Sequence, residues 1–284
     1  MKPKLANKRG AEAATFLRKQ MAMAGDKMPK DAAVEACVIG GVNGEWVSAD
    51  NVNEQQVLVY FHGGAYVSGS PASHRDYAAL MSAELGAKLL MVDYRLAPEY
   101  VFPAQIEDAL AVYAGLLAAG YSATDIVVGG DSAGGNLALA LLQEIRRQQL
   151  AMPQAVALFS PWVDLTHISR SMSRNADKDP MLPVRLLDEC ANLYVAGMGK
   201  NDPLISPAFA NYEGFPPMII HVGETEILLD DATAIADKCG QAGVAADLTV
   251  WPKVPHAFPI LVKFLPEARQ AVQQTAIFLR AALD

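Results

Sequence analysis

Residues Gly130-Asp131-Ser132-Ala133-Gly134 set a serine between two glycines in the pattern G-x-S-x-G. Three fixed positions in five recur by chance, so the surroundings decide the reading. The apolar run Ile126–Gly129 leads straight into the pentapeptide, and a helical pattern from Gly134 to Gln149 leaves it. A strand, a sharp turn and a helix hold a serine hydroxyl clear of the sheet. The helix N-terminus behind it favours the negative charge of acyl transfer. Two further needs follow: donors for an oxyanion and a base for the hydroxyl.

Donors are found upstream. His62-Gly63-Gly64-Ala65 follows the apolar run VLVYF. Small residues let backbone N–H groups approach a tetrahedral intermediate. Gly63 and Gly64, with Ala133 after the serine, are the expected donors. His62 is expected to anchor their loop.

Five histidines are available as base. Elbow enzymes carry serine, acid and histidine in that chain order. His62 and His74 precede Ser132, and His167 falls in a polar insertion. His221 sits inside an apolar strand. His256 follows the last strand on a loop and is the expected base. The acid belongs on the loop after the penultimate strand, Gly223-Glu224-Thr225-Glu226. Glu226 is preferred and Glu224 is the runner-up. Asp230 and Asp231 read as helix N-terminal residues favoured by the dipole.

The elements that must carry these groups alternate. Strands are expected at 34–39, 45–49, 57–62, 88–94, 126–129, 155–160, 218–222 and 248–251. Helices are expected near 73–85, 104–119, 134–149, 229–242 and 265–282. Continuous apolar strands separated by helices imply a parallel sheet covered on both faces. The first two strands, with no helix between them, imply an antiparallel hairpin. Residues 165–207 are too long for an ordinary connection. With the N-terminal 1–30, including a helix at 9–24, they are expected to form a small helical cap. The fold class is therefore α/β: one domain over 1–284, with an eight-stranded, mostly parallel sheet. Tyr66, the segment Met21–Met28 and Leu204–Ile205 are candidates to line a substrate pocket.

Composition narrows the partners. The net charge of −8 gives no electrostatic reason to bind nucleic acid or anionic lipid. No apolar run is long enough to span a bilayer, and no apolar segment follows the basic N-terminus as in a secretory leader. The three cysteines, odd in number and far apart, predict neither disulfides nor a metal site and suggest a reducing cytoplasm. No cofactor is expected. An edge strand at 248–251 offers a homodimer contact.

With these residues in hand, the chain from about residue 55 onward resembles the hormone-sensitive-lipase-like α/β-hydrolases, the bacterial short-chain esterases. The resemblance rests on HGGAYVSGSPASH, DYRLAPEYVFPAQIEDA, GDSAGGNLA, SPWVDLT and GETEILLDDA. It implies an α/β-hydrolase fold and hydrolysis of short- to medium-chain esters. It places Glu226 where the family usually has an aspartate. The stretch from Leu228 to Pro259 is similar to members described as ε-lactone hydrolases, which makes a lactone the alternative substrate. A more distant alternative is a non-catalytic receptor of the same fold, which can dispense with the histidine this chain keeps. Asp93, Arg95 and Glu99 are expected to pair locally as scaffold, and Asp131 and Asp164 to be structural.

Overall fold

A computed structural model describes residues 9–22 and 28–284. Eight strands form one sheet in the order β1-β2-β4-β3-β5-β6-β7-β8. They are β1 (Ala33–Ile39), β2 (Val42–Ser48), β3 (Asn53–Phe61), β4 (Ala87–Val92), β5 (Ile126–Asp131), β6 (Val156–Phe159), β7 (Met218–Gly223) and β8 (Ala246–Trp251). β1 pairs antiparallel with β2, and β2 antiparallel with β4. Every other pairing is parallel. The eight strands, the hairpin and the parallel core agree with the sequence reading.

The helices are α1 (Gly10–Ala22), α2 (Arg75–Leu85), α3 (Ala104–Ala118), α4 (Ala133–Arg147), α5 (Arg170–Arg174), α6 (Val184–Val195), α7 (Leu229–Gln241) and α8 (Pro266–Leu283). The pleat of β3 shows how they cover the sheet. Val57, Val59 and Phe61 face one core with α3, α4 and α7, while Leu58 and Tyr60 face the other with α2 and α8. Both faces are apolar, which is why the strands read as unbroken hydrophobic runs. β8 ends the sheet.

The stretch 165–207 carries α5 and α6, and α1 packs against α6. Of the expected N-terminal cap, residues 1–8 and 23–27 lie outside the described residues, as does most of Met21–Met28. Arg18 ties α1 to the loops beneath it. It donates to the carbonyls of Val67 and Ala97 and to both carboxylate oxygens of Glu99. The expected local pairs of Asp93, Arg95 and Glu99 are thus replaced by longer ones. Glu99 reaches α1, and Arg95 pairs with Glu107 and Asp108 on α3. Among the described residues no helix is long and apolar enough to cross a membrane. The three cysteines are free.

Candidate active site

Ser132 lies between β5 and α4 with φ 53° and ψ −118°, outside the conformations an L-residue ordinarily adopts. Flanking glycines make the turn possible. A Cβ on Gly134 would come within 1.9 Å of the Phe61 carbonyl oxygen, and one on Gly130 within 2.4 Å of Gly134. The turn is fastened to the neighbouring strand end. Ser132 N–H donates to Phe159 O at 2.9 Å, and Trp162 N–H donates to Ser132 O at 3.1 Å.

Glu226 follows β7, and His256 lies on the loop after β8. His256 Nδ1 donates to Glu226 Oε2 at 2.7 Å. The other carboxylate oxygen, Oε1, accepts from Gly223 N–H at 2.6 Å and from the Ser160 hydroxyl at 2.7 Å. Burial alone would lower the His256 pKa, but the bond to Glu226 and its charge, together with the charges of Asp179 and Asp131, outweigh burial and raise it. Glu224 stands apart from this group, accepting from Lys253 N–H on an exposed turn.

Ser132 and His256 line one cavity of about 150 Å³. Gly64 and Ala65 also line it. Among the described residues no acceptor takes the N–H of Gly64, Ala65 or Ala133. Gly63 stands differently from the sequence reading. Its N–H donates to Asp131 Oδ1 at 3.0 Å, and it does not line the cavity, so it is not placed to serve as an oxyanion donor. Tyr66 also departs from its expected role in substrate binding. It is fully buried away from the cavity, stacked on Tyr194 of α6 at 4.0 Å, with its hydroxyl donating to Asn136 Oδ1. Its ring packs against α6, while its hydroxyl is bonded to α4. Ile205 is buried in the main core, again off the cavity.

Gln20, Ser68 and Asp131 add polar groups to the lining, and the rest of the wall is apolar. Met181, Leu182, Leu186 and Leu187 come from the 165–207 stretch, and Leu17 and Met21 from α1. Ile260 and Leu261, on the turn following His256, complete it. The preceding segment of that stretch is joined to the loop that carries Glu226. Ser171 N–H donates to Asp230 Oδ2, and the Ser171 hydroxyl donates to Ile227 O. Asn175 Nδ2 donates to the carbonyls of Glu224 and Glu226, and Ile227 N–H donates to Asp179 Oδ2.

The remaining histidines have other partners. His62 stacks on Tyr94 and donates from Nδ1 to Gly63 O, and burial, aided by His74, lowers its pKa to about 4. His74 is buried, with Nε2 3.0 Å from Asp131 Oδ1. Burial works against the Asp131 carboxylate, yet His74 holds its pKa below the usual value. His221 accepts from Trp251 Nε1 and hydrogen-bonds Thr275, a satisfied core histidine. His167 accepts from Trp162 Nε1. The sequence reading missed Ser160, the His74–Asp131 contact and Asp179. A polar residue ending the apolar run VALFS was the one available sign of the first. Among the described residues no cluster of side chains could hold a metal ion.

A strained serine between β5 and α4, beside a histidine–carboxylate pair at the C-terminal ends of parallel strands, defines the class of hydrolases built on a nucleophile elbow. The family described as "alpha/beta hydrolase fold" matches residues 58–260. An acetyl-hydrolase of Streptomyces hygroscopicus is 36% identical over 248 residues, 87% of this chain and 83% of that protein. An esterase of Acinetobacter venetianus is 35% identical, over 84% of this chain and 79% of its own. An esterase from the bacterial hormone-sensitive lipase family superposes with a TM-score of 0.93 at 37% identity, covering 98% and 93% of the two chains. EstE5, a crystal of which was soaked by p-nitrophenyl butyrate, gives 0.92 at 37% identity, covering 95% and 91%. This chain belongs to the α/β-hydrolase family, among its hormone-sensitive-lipase-like esterases.

Proposed function

We propose that the protein hydrolyses esters of short acyl chains by two-step acyl transfer, with Ser132 as nucleophile, His256 as base and Glu226 as acid. The observation that carries this reading is the 2.7 Å bond from His256 Nδ1 to Glu226 Oε2 beside the cavity that Ser132 and His256 share. Glu226 fixes the tautomer with the proton on Nδ1, so Nε2 is free to take the Ser132 proton. Ser132 Oγ attacks the ester carbonyl and that proton passes to His256. The carbonyl oxygen becomes an oxyanion held by the N–H groups of Gly64, Ala65 and Ala133. The C–O bond breaks, His256 protonates the alcohol, and water deprotonated by the same base releases the acid. No metal or cofactor enters any step.

The apolar cavity supports a short acyl group. A cavity of about 150 Å³ whose walls are mostly aliphatic has room for a ligand the size of benzene, which suggests an acyl chain of up to about six carbons. Residues 165–207 and α1 act as the cap that closes over it. The test is Ser132→Ala with p-nitrophenyl butyrate. We expect kcat to fall roughly 10⁴-fold or more with the fold intact. Turnover near wild type overturns the assignment. An ester series from acetyl to dodecanoyl, with a seven-membered lactone beside it, separates the short-chain reading from a lactonase.

A further inference from the structure

Ser160 directly follows β6, fully buried and in the left-handed region at φ 45°. Its N–H donates to His221 O at 2.7 Å, which fixes it against β7. Its hydroxyl makes two bonds across the site. It donates to Glu226 Oε1 at 2.7 Å, and it accepts the N–H of Ala257 at 3.0 Å. A hydroxyl has one proton and two lone pairs. The Ala257 amide can only donate, so the hydroxyl proton is committed to the carboxylate.

The consequences reach both members of the acid–base pair. Oε1 is held by the Gly223 N–H and the Ser160 hydroxyl, which turns Oε2 toward His256. Ala257 is the residue after the base, so the same oxygen fixes the backbone that carries the imidazole. Ser160 does not line the cavity and has no route to substrate. The residue before it, Phe159, accepts the N–H of Ser132. The end of β6 is therefore bonded to Ser132, to Glu226 and to the residue after His256.

We propose that Ser160 is a positioning residue, whose single hydroxyl sets the rotation of the Glu226 carboxylate and the placement of His256. The inference rests on the Ser132–His256–Glu226 reading. A serine that merely satisfied buried polar groups would affect stability and leave turnover alone.

A double-mutant cycle separates the two roles. Ser160→Ala is made in the wild type and in Glu226→Ala, and kcat, KM and Tm are measured with p-nitrophenyl butyrate. We expect kcat to fall roughly ten- to a hundredfold in the wild type, the scale of one hydrogen bond to a charged group, with KM changed less than about twofold. In Glu226→Ala, Ser160→Ala lowers kcat by a smaller factor than in the wild type, because the carboxylate acceptor has gone and only the Ala257 bond is left to lose. Equal losses in both backgrounds, or a wild-type kcat in Ser160→Ala, overturn the proposal. A Glu226→Ala enzyme with wild-type kcat overturns the acid assignment and this inference together. A slow Glu226→Ala beside a fast Ser160→Ala overturns this inference alone. If Ser160→Ala does not fold, Ser160→Gly removes the same hydroxyl and accepts φ 45° without a Cβ.

Discussion

Glu226 and His256 come from loops after different strands, β7 and β8, yet meet at 2.7 Å with the glutamate completely buried. A buried carboxylate is costly unless its oxygens are satisfied. Here both are, and its charge keeps the His256 pKa above its ordinary 6.5 in spite of burial.

That relationship predicts a pH profile. In the proposed mechanism His256 must be neutral to accept the serine proton, so activity is lost as pH falls through its raised pKa. The acid limb of kcat/KM will therefore have its midpoint above pH 6.5. Glu226→Gln removes the charge that raises it and leaves burial, which lowers it. The midpoint will move to lower pH, and kcat will fall roughly 10²- to 10⁴-fold as the tautomer is lost. An unmoved midpoint contradicts the assignment.

The Asp131 carboxylate holds the loop carrying Gly63 through its N–H, with Tyr60 and His74 on the same oxygen. Asp131→Ala leaves these buried groups without their acceptor. Denaturant unfolding will show a loss of about 3–5 kcal/mol, the scale of breaking a buried charged network. A loss below about 1 kcal/mol would falsify the structural role given to Asp131.

Cavity length should be adjustable from above. Leu187 on α6 and Met21 on α1 contribute apolar wall. Shortening both to alanine will shift the preferred acyl chain upward by about two to four carbons, since each adds room for a few methylenes. The kcat/KM values of a p-nitrophenyl ester series measure it. An unchanged optimum places the acyl chain elsewhere.

Arg18 is the tether of α1. Its hydrogen bond with Glu99 holds that carboxyl's pKa down to about 2. A lowered acid pKa supports the folded contact fully above the ordinary carboxyl value of 4.5 and loses it as pH falls toward about 2. Arg18→Ala will speed hydrogen exchange of amides 10–22 at neutral pH and raise KM, with exchange in the sheet unchanged. The exposed pair itself contributes little to global stability, so Tm will move by only a degree or two.

The sequence exposed the sheet because its strands are covered on both faces, which leaves continuous apolar runs such as VLVYF and MIIHV. Ser132 was legible for a related reason: a turn that admits no side chain demands glycine at 130 and 134. His256 followed from chain order and loop position. Gly63 reads as a donor from sequence because a run of small residues shows that the backbone comes close to something. It does not show which N–H faces the cavity and which faces Asp131. Ser160 was invisible on the same ground. Its partners lie 66 and 97 residues away, and only the register of β6 against β7 brings them together. From sequence Tyr66 reads as a pocket residue, because an aromatic beside an oxyanion loop has the same signature whether it faces substrate or packs on a neighbouring helix.

The bonds from residues 171–179 to the loop 224–230 have a consequence for how this enzyme wears out. Part of the 165–207 stretch is fastened to the segment that carries Glu226. Heating that loosens this stretch will displace Glu226 in the same motion. Inactivation will then run ahead of the collapse of the sheet, and a reinforcement placed at this seam will lengthen working life more than one placed in the core.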